Sequence, residues 1–109
     1  MNSKILNPIV ALAGLLIIFM ITIFGFDLAK NLKTYSALNS ERAKIQSQIK
    51  TWQSITEKFK GYKDGYLQLA VLEYRLGEFE KSKTYLDKAL YLDPTYKEAL
   101  ELQKKLKNY

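Results

Sequence analysis

The sequence KDGYLQLAVLEYRLGEFEKSKTYLDKALYLDPTY, residues Lys63–Tyr96, decides the fold. Apolar side chains recur every three or four residues on both sides of Gly77, which is the spacing of one face of an α-helix. Glycine ends the first helix here, because it adopts a positive φ without a steric penalty. Pro94 ends the second helix, because its ring does not fit a continued helix. The pattern therefore predicts a hairpin of two amphipathic helices.

This 34-residue unit resembles the tetratricopeptide repeat, a helix-turn-helix module that stacks and binds other proteins. Gly77, Ala89 and Pro94 stand at that family's relative positions, and Leu69 with Ala70 occupies its Leu-Gly position. Four positions depart from the usual residues: Tyr66 replaces Trp, Ser82 a small Ala, Leu86 an aromatic residue, and Glu73 a Tyr. An ordinary amphipathic hairpin outside any repeat family is the alternative.

The resemblance implies two sets of functional and structural residues. The family's ligand-facing positions correspond here to Asp64, Leu67, Val71, Tyr74 and Arg75, which implies a groove for a partner helix or an extended segment. Chaperone-binding members hold a C-terminal carboxylate with Lys and Asn, whereas Leu67 and Val71 stand at such positions here. The alternative is that this face packs on the preceding helix around Trp52. The residues expected to pack the repeat are Trp52, Tyr66, Leu69, Ala70, Gly77, Phe79, Leu86, Ala89 and Pro94.

Residues 8–26 form an uncharged run in which twelve residues are Ile, Leu, Val or Phe. At ~1.5 Å per residue this run spans about 28 Å as a helix, close to the hydrocarbon thickness of a bilayer. We expect Asn7 to cap this helix and Pro8 to lie in its first turn. The run ends before Asp27 without the small-x-small site of a cleaved signal peptide. We therefore expect a short N-terminal tail, residues 1–7, and an uncleaved single-pass transmembrane helix.

Basic residues near the two ends of this run bear on its orientation. One lysine precedes the run, and Lys30, Lys33, Arg42 and Lys44 follow it. This distribution favours a cytoplasmic C-terminal part. A short tail with one lysine also occurs in anchors that export their C-terminal part, so both orientations remain open.

Residues 27–60 contain neither Gly nor Pro and predict a basic stem helix. Its apolar stripe consists of Leu28, Tyr35, Leu38, Ile45, Ile49, Trp52 and Phe59. Asn31 and Arg42 interrupt the stripe, so a solvated spacer and a coiled-coil stem that joins two copies both remain open. Shifted by 34 residues, Trp52 aligns with Leu86, as expected if the stem ends in half of a preceding repeat. We therefore expect the end of the stem to belong to the folded domain.

Residues 97–109 predict a capping helix with one apolar side, which completes an all-α architecture. The order is then a transmembrane helix that continues into a long stem helix, a tetratricopeptide-like hairpin in 63–96, and the cap.

The 109-residue chain has no Cys and no His. It therefore lacks the usual nucleophiles, imidazole bases and transition-metal ligands, so we expect neither an enzyme nor a metal or cofactor. The net charge of +6 arises in residues 30–63, where eight basic residues stand against two acidic ones. Aromatic stacking platforms for nucleic acid are absent, so we do not expect nucleic-acid binding, and we rank anionic-lipid binding by the stem equally low.

Two functions agree with this organisation. The first is a membrane-anchored interaction or scaffold module whose repeat docks another protein. The second is a structural coiled-coil membrane protein, because the short tail, anchor and stem resemble the layout of the septum formation initiator family of cell division.

Overall fold

Four α-helices follow one another in the computed structural model, which describes residues 3–109. They are α1 (Ser3–Lys58), α2 (Lys63–Arg75), α3 (Phe79–Leu92) and α4 (Lys97–Leu106). Over that range the chain has no β-strand, and the predicted all-α class with a long N-terminal helix is confirmed. The chain forms two units, one up to Asn39 and one from Ser40 to Tyr109.

The first unit is the N-terminal part of α1. This helix begins at Ser3, so the expectation that Asn7 caps it was wrong, and Pro8 lies inside the helix. A proline so close to the helix start removes one backbone hydrogen bond, and the helix continues through it. The apolar side chains from Ile9 to Phe26 are exposed. Residues 1 and 2 of the predicted tail lie outside the described residues.

Thr22 is the one polar side chain within residues 8–26, and it forms a hydrogen bond within its own helix. The hydroxyl of Thr22 donates a hydrogen bond to the carbonyl oxygen of Phe19 at 2.8 Å. This contact removes most of the cost of a hydroxyl in an apolar medium. By length and composition, α1 contains one segment apolar enough to cross a membrane.

In the second unit, the end of α1 packs against α2. Ile45 and Ile49 of α1 form a buried cluster with Leu69 and Leu72 of α2, and Trp52 lies against it. The compact unit therefore begins within the predicted stem, at Ser40. The last turns of α1 supply one wall of the core.

A second buried cluster joins α2, α3 and α4. It consists of Leu67, Ala70, Leu86, Ala99, Leu102 and Leu106. The two clusters lie on different faces of α2, so α2 is the central helix of this unit.

The turn between α2 and α3 explains the glycine at position 77. Gly77 has a φ of +78°. Its N–H donates to the carbonyl of Tyr74 at 3.0 Å, and the N–H of Glu78 donates to the carbonyl of Glu73 at 2.9 Å. These two bonds form the Schellman motif that ends many helices. The turn is the one that the sequence pattern predicted.

Small side chains let α2 and α3 approach closely. Ala70 and Ala89 are fully buried, as is Ser82. The Ser82 hydroxyl donates to the carbonyl oxygen of Ala70 at 2.6 Å, which satisfies a buried polar group and links the two helices.

The start of α2 lies close to α1 at Gly65. A Cβ atom at this position would lie 2.7 Å from the Cγ2 atom of Thr56, which is buried on α1. We expect Gly65→Ala to destabilise the unit by about 1–3 kcal/mol, because the stiff threonine side chain has little freedom to move away. Urea unfolding of the full chain in detergent micelles measures the loss.

Two further variants test the cause of this loss. Gly61→Ala serves as the matched control, because a Cβ there meets nothing within 4 Å. Thr56→Ser removes the methyl group at Cγ2, so it should restore part of the stability of Gly65→Ala; the Tyr62 ring, whose Cδ1 atom would lie 3.1 Å from the new Cβ, remains. Equal stability of the Gly65→Ala and Gly61→Ala chains would contradict the observed packing of α1 on α2.

Candidate functional site

The candidate site is the side of α2 that carries the predicted groove residues, and Leu67 is its one buried member. Only 8% of Leu67 is exposed, and it belongs to the core cluster with Leu86, Leu102 and Leu106. The following helix α4 covers this position, so Leu67 contributes to packing here.

Asp64 and Tyr74 are half-buried and are held by neighbouring side chains. The carboxylate of Asp64 accepts a hydrogen bond from the hydroxyl of Tyr96. Burial, together with this bond to Asp64, raises the pKa of Tyr96. The ring of Tyr74 contacts that of Phe79, with 5.5 Å between their centroids. Both groove residues are therefore fixed by the repeat itself.

Val71 and Arg75 are the open members of the predicted groove. Val71 is 37% exposed, and the guanidinium of Arg75 forms an exposed ion pair with Glu41 of α1 at 3.2 Å. Gln68 is also exposed and, at this spacing, lies on the same face of α2. We call these three residues, Gln68, Val71 and Arg75, the α2 strip. It presents one apolar group, one amide and one cation to a ligand.

The contacts of Trp52 bear on the alternative that the groove face packs on the stem. Trp52 lies against the cluster of Leu69 and Leu72. Val71 stays exposed, and Tyr74 packs against the other cluster. Val71 and Tyr74 are therefore not part of the cluster around Trp52, whereas Arg75 of the same predicted groove pairs with Glu41 of α1.

The other residues expected to pack the repeat have defined positions. Leu69, Ala70, Leu86 and Ala89 are buried, whereas Tyr66 and Phe79 are half-buried. Pro94 is exposed in the turn after α3.

Two polar contacts that the sequence did not predict connect the start of α2 to the turn between α3 and α4. The ammonium of Lys63 donates to the carboxylate of Asp93 at 2.6 Å, and the same nitrogen lies 4.6 Å from the ring centroid of Tyr96. Hydrogen bonds from Lys63 and then from Thr95 lower the pKa of Asp93. The second contact is the Tyr96–Asp64 bond. Both contacts join residues that are 30 or more positions apart in the sequence. No short sequence pattern therefore predicts them.

Glu73 is a buried acid beside a polar groove of about 480 Å³ between α1, α2 and α3. It is 5% exposed. Arg42 and Lys50 of α1 line the same groove, together with Glu78 and Lys81. Burial raises the pKa of the Glu73 carboxyl, Lys81 opposes the shift, and Glu78 adds to it. The shift has a structural cause, because Glu73 occupies a packing position on α2.

No group of three or more His, Cys, Asp or Glu side chains that could hold a metal ion occurs within residues 3–109.

The structure has the features of a helical repeat unit. Two helices form a hairpin closed by a Schellman turn, small residues lie where they cross, and a further helix packs on the hairpin. Residues 63–109 match the family described as the Fis1 C-terminal tetratricopeptide repeat. For this part of the chain, the match confirms the predicted resemblance to the tetratricopeptide repeat. The match leaves out residues 1–62. Comparisons with curated proteins and with solved structures gave no significant match.

The raised pKa of Glu73 predicts how stability depends on pH. The folded state binds the Glu73 proton more tightly than the unfolded state, so the free energy of unfolding should increase as pH falls through the raised pKa toward 4.5. At pH 7 the charged, buried carboxylate of Glu73 lowers the free energy of unfolding. We therefore expect Glu73→Gln to be more stable than the parent chain at pH 7, with the difference shrinking near pH 4.5.

Urea unfolding at several pH values measures this effect. Glu101→Gln on α4 is the control, because it makes the same chemical change at an exposed position. If the difference in unfolding free energy between Glu73→Gln and the parent chain is the same at pH 4.5 and pH 7, the charged Glu73 carboxylate does not destabilise the fold.

Proposed function

We propose that this chain is a membrane-anchored adaptor that docks another protein through its C-terminal repeat and performs no catalysis. The observation that carries the proposal is the tetratricopeptide repeat in residues 63–109, a module that generally binds proteins. The open α2 strip supports it, because Gln68 and Val71 are exposed and the one fold contact of the strip, between Arg75 and Glu41, is an exposed ion pair.

The anchor is proposed from α1. Its most apolar window has a mean hydropathy of 2.8, and none of that window is buried within the protein. A core helix of a soluble domain would be covered by other elements, whereas these side chains are exposed. Exposed apolar surface on this scale is stable in a bilayer. The excess of basic residues after the span supports a cytoplasmic repeat.

A non-catalytic role is supported by composition. The chain has neither Cys nor His, so the groove that Glu73 and Glu78 line has neither a thiol nor an imidazole beside these carboxyl groups. Tetratricopeptide repeats are generally interaction modules, which agrees with this proposal.

A structural coiled-coil membrane protein of the septum formation initiator type is the second candidate. The observation in its favour is a set of exposed apolar side chains on α1 after the apolar run: Leu28, Leu32, Tyr35 and Leu38. Two copies could bury this stripe against each other. In that case self-association, rather than docking of another protein, would be the function.

The proposed anchor predicts that the full-length chain stays in the membrane pellet after carbonate extraction. Its twelve aliphatic and Phe side chains favour insertion by roughly 4–7 kcal/mol, and two arginines at the centre of the span would cancel about 5–7 kcal/mol. The double variant Gly14→Arg, Ile18→Arg should therefore be extracted. Ser36→Arg, Ser40→Arg is the control with the same charge outside the span. Extraction of the parent chain, or a form shortened to begin near Asp27, would contradict the anchor.

The proposed docking surface predicts where a partner is found. Val71→p-benzoylphenylalanine, irradiated in native membranes, should yield a discrete adduct with a different protein. The same photoreactive residue at the exposed Thr84 of α3 is the control and should yield none. Arg75→Glu should weaken the Val71 adduct by removing the cation of the α2 strip. Adducts only between two copies would favour the coiled-coil candidate, and equal adducts at both positions would contradict the α2 strip.

A further inference from the structure

Tyr109 lies beyond the end of α4 and packs its ring on two aromatic residues of the hairpin. The ring stacks on that of Phe79, with 4.0 Å between the centroids and 20° between the planes. It meets the ring of Tyr74 edge-on, with 6.2 Å between the centroids. The ammonium of Lys83 donates a hydrogen bond to the main-chain oxygen of Tyr109 at 3.2 Å. We call Tyr74, Phe79 and Lys83 the aromatic site, and Tyr109 occupies it.

Tyr74 connects the aromatic site to the predicted groove. It is one of the predicted groove residues, and it follows Val71 of the α2 strip by three positions. Side chains at this spacing are neighbours on one face of a helix. Tyr109 therefore covers the end of the groove that adjoins the strip. A partner segment that extends from Val71 along α2 reaches the place that Tyr109 holds in this structure.

The contacts that hold Tyr109 are weak. Tyr109 is 63% exposed, so most of the residue remains in contact with solvent. Its N–H donates to the carbonyl oxygen of Leu106 at 3.3 Å, which is longer than the usual range. The bond from Lys83 is exposed, and the same ammonium pairs with Glu80 at 3.2 Å. Exposed contacts of this kind contribute little each, so another aromatic residue can displace Tyr109.

The core does not depend on Tyr109. The buried cluster that includes Leu67 and Leu86 does not include Tyr109. Tyr74 and Phe79 already pack against that cluster. Removal of the Tyr109 ring therefore uncovers two aromatic side chains and leaves the core in place. A surface of this composition is typical of the centre of a protein interface.

We infer that a partner segment inserts a Tyr or Phe residue into the aromatic site, and that Tyr109 occupies this site as an intramolecular competitor. Tyr109 itself shows the chemistry that the site accepts. Its ring stacks on Phe79, and an oxygen beside the ring accepts a hydrogen bond from Lys83. The inference rests on the proposed function as an interaction module, and it extends the docking surface beyond the α2 strip. The competition lowers the apparent affinity for a partner by the fraction of chains whose site is free.

The first test determines whether Tyr109 occupies the site in solution. Fluorotyrosine replaces Tyr109 in the full chain in detergent micelles, and fluorine NMR detects the ring current of Phe79. We expect a shifted signal that returns to the position of a free residue with Phe79→Leu. Fluorotyrosine at Tyr91, which is 87% exposed, is the control and should not respond to Phe79→Leu. An unshifted signal at position 109 would overturn the inference.

The second test determines whether the site accepts an aromatic residue from another molecule. The probe is a dye-labelled peptide that copies residues 104–109 with both ends blocked, and fluorescence anisotropy measures its affinity. The parent chain should bind the probe weakly, because its own Tyr109 is tethered at a high effective concentration. Tyr109→Ser should bind it about tenfold more tightly, which corresponds to an occupied site in about nine of ten parent chains. Tyr109→Phe keeps the ring and should behave like the parent chain.

Variants of the Tyr109→Ser chain separate the aromatic site from the rest of the surface. Adding Phe79→Leu should remove the gain in affinity, and Lys83→Met should reduce it, because each takes away one contact that Tyr109 makes. Adding Tyr91→Ser is the matched control, since it removes an exposed aromatic ring elsewhere on α3 and should leave the affinity unchanged. A peptide with Ala in place of its Tyr should not bind.

Three outcomes of the binding test would overturn the inference. They are equal binding of the Tyr and Ala peptides, equal affinity of the parent and Tyr109→Ser chains, and a Tyr109→Ser chain that melts at a lower temperature and binds no peptide. The last result would make Tyr109 a packing residue only.

The proposed function is judged separately by photo-crosslinking at Val71. An adduct with another protein whose yield is unchanged by Tyr109→Ser would support the adaptor and contradict the competition by Tyr109. Tight binding of the probe by Tyr109→Ser, without any adduct at Val71, would support the aromatic site and contradict docking at the α2 strip.

Discussion

The contact of Ile45 and Ile49 on α1 with Leu69 and Leu72 on α2 is the interaction on which the folded unit depends. The repeat matched in residues 63–109 is too short to bury a robust core alone, since stability falls steeply as domains shrink toward about 40 residues. The last turns of α1 extend the unit to Ser40–Tyr109 and cover one side of α2. The segment that looks like a spacer in the sequence is therefore, from Ser40 onward, part of the compact unit.

This contact also determines which surface remains for binding. One side of α2 meets α1 through Leu69 and Leu72, and another meets α3 and α4 through Leu67 and Ala70. Side chains on an α-helix point in all directions, so a helix with two covered sides retains one narrow open strip. The α2 strip is that remainder. The apolar residues of α2 lie mainly on its two covered sides, so the α2 strip contains only one apolar residue, Val71.

The helices, the turn and the repeat were predictable from the sequence because each has a local cause. Periodic apolar residues indicate helices, and Gly77 indicates the turn because few other residues adopt its φ. The burial of Leu67 was not predictable, because it depends on how α4 packs across the hairpin. The contacts of Lys63 with Asp93 and of Asp64 with Tyr96 were missed for the same reason, since nothing near these residues in the sequence specifies their partners.

The small size of the open surfaces has a consequence for the proposed adaptor. Stable protein complexes usually bury roughly 1,200–2,000 Å² in total, more than the α2 strip offers alone. The ion pair of Arg75 with Glu41 is exposed and of little energetic value, so a partner's acidic group could replace Glu41 at low cost. Weak contacts of this kind gain strength when one partner is confined, because confinement raises the effective concentration of the other. A membrane anchor provides such confinement, so the proposed anchor and the small docking surfaces support one another.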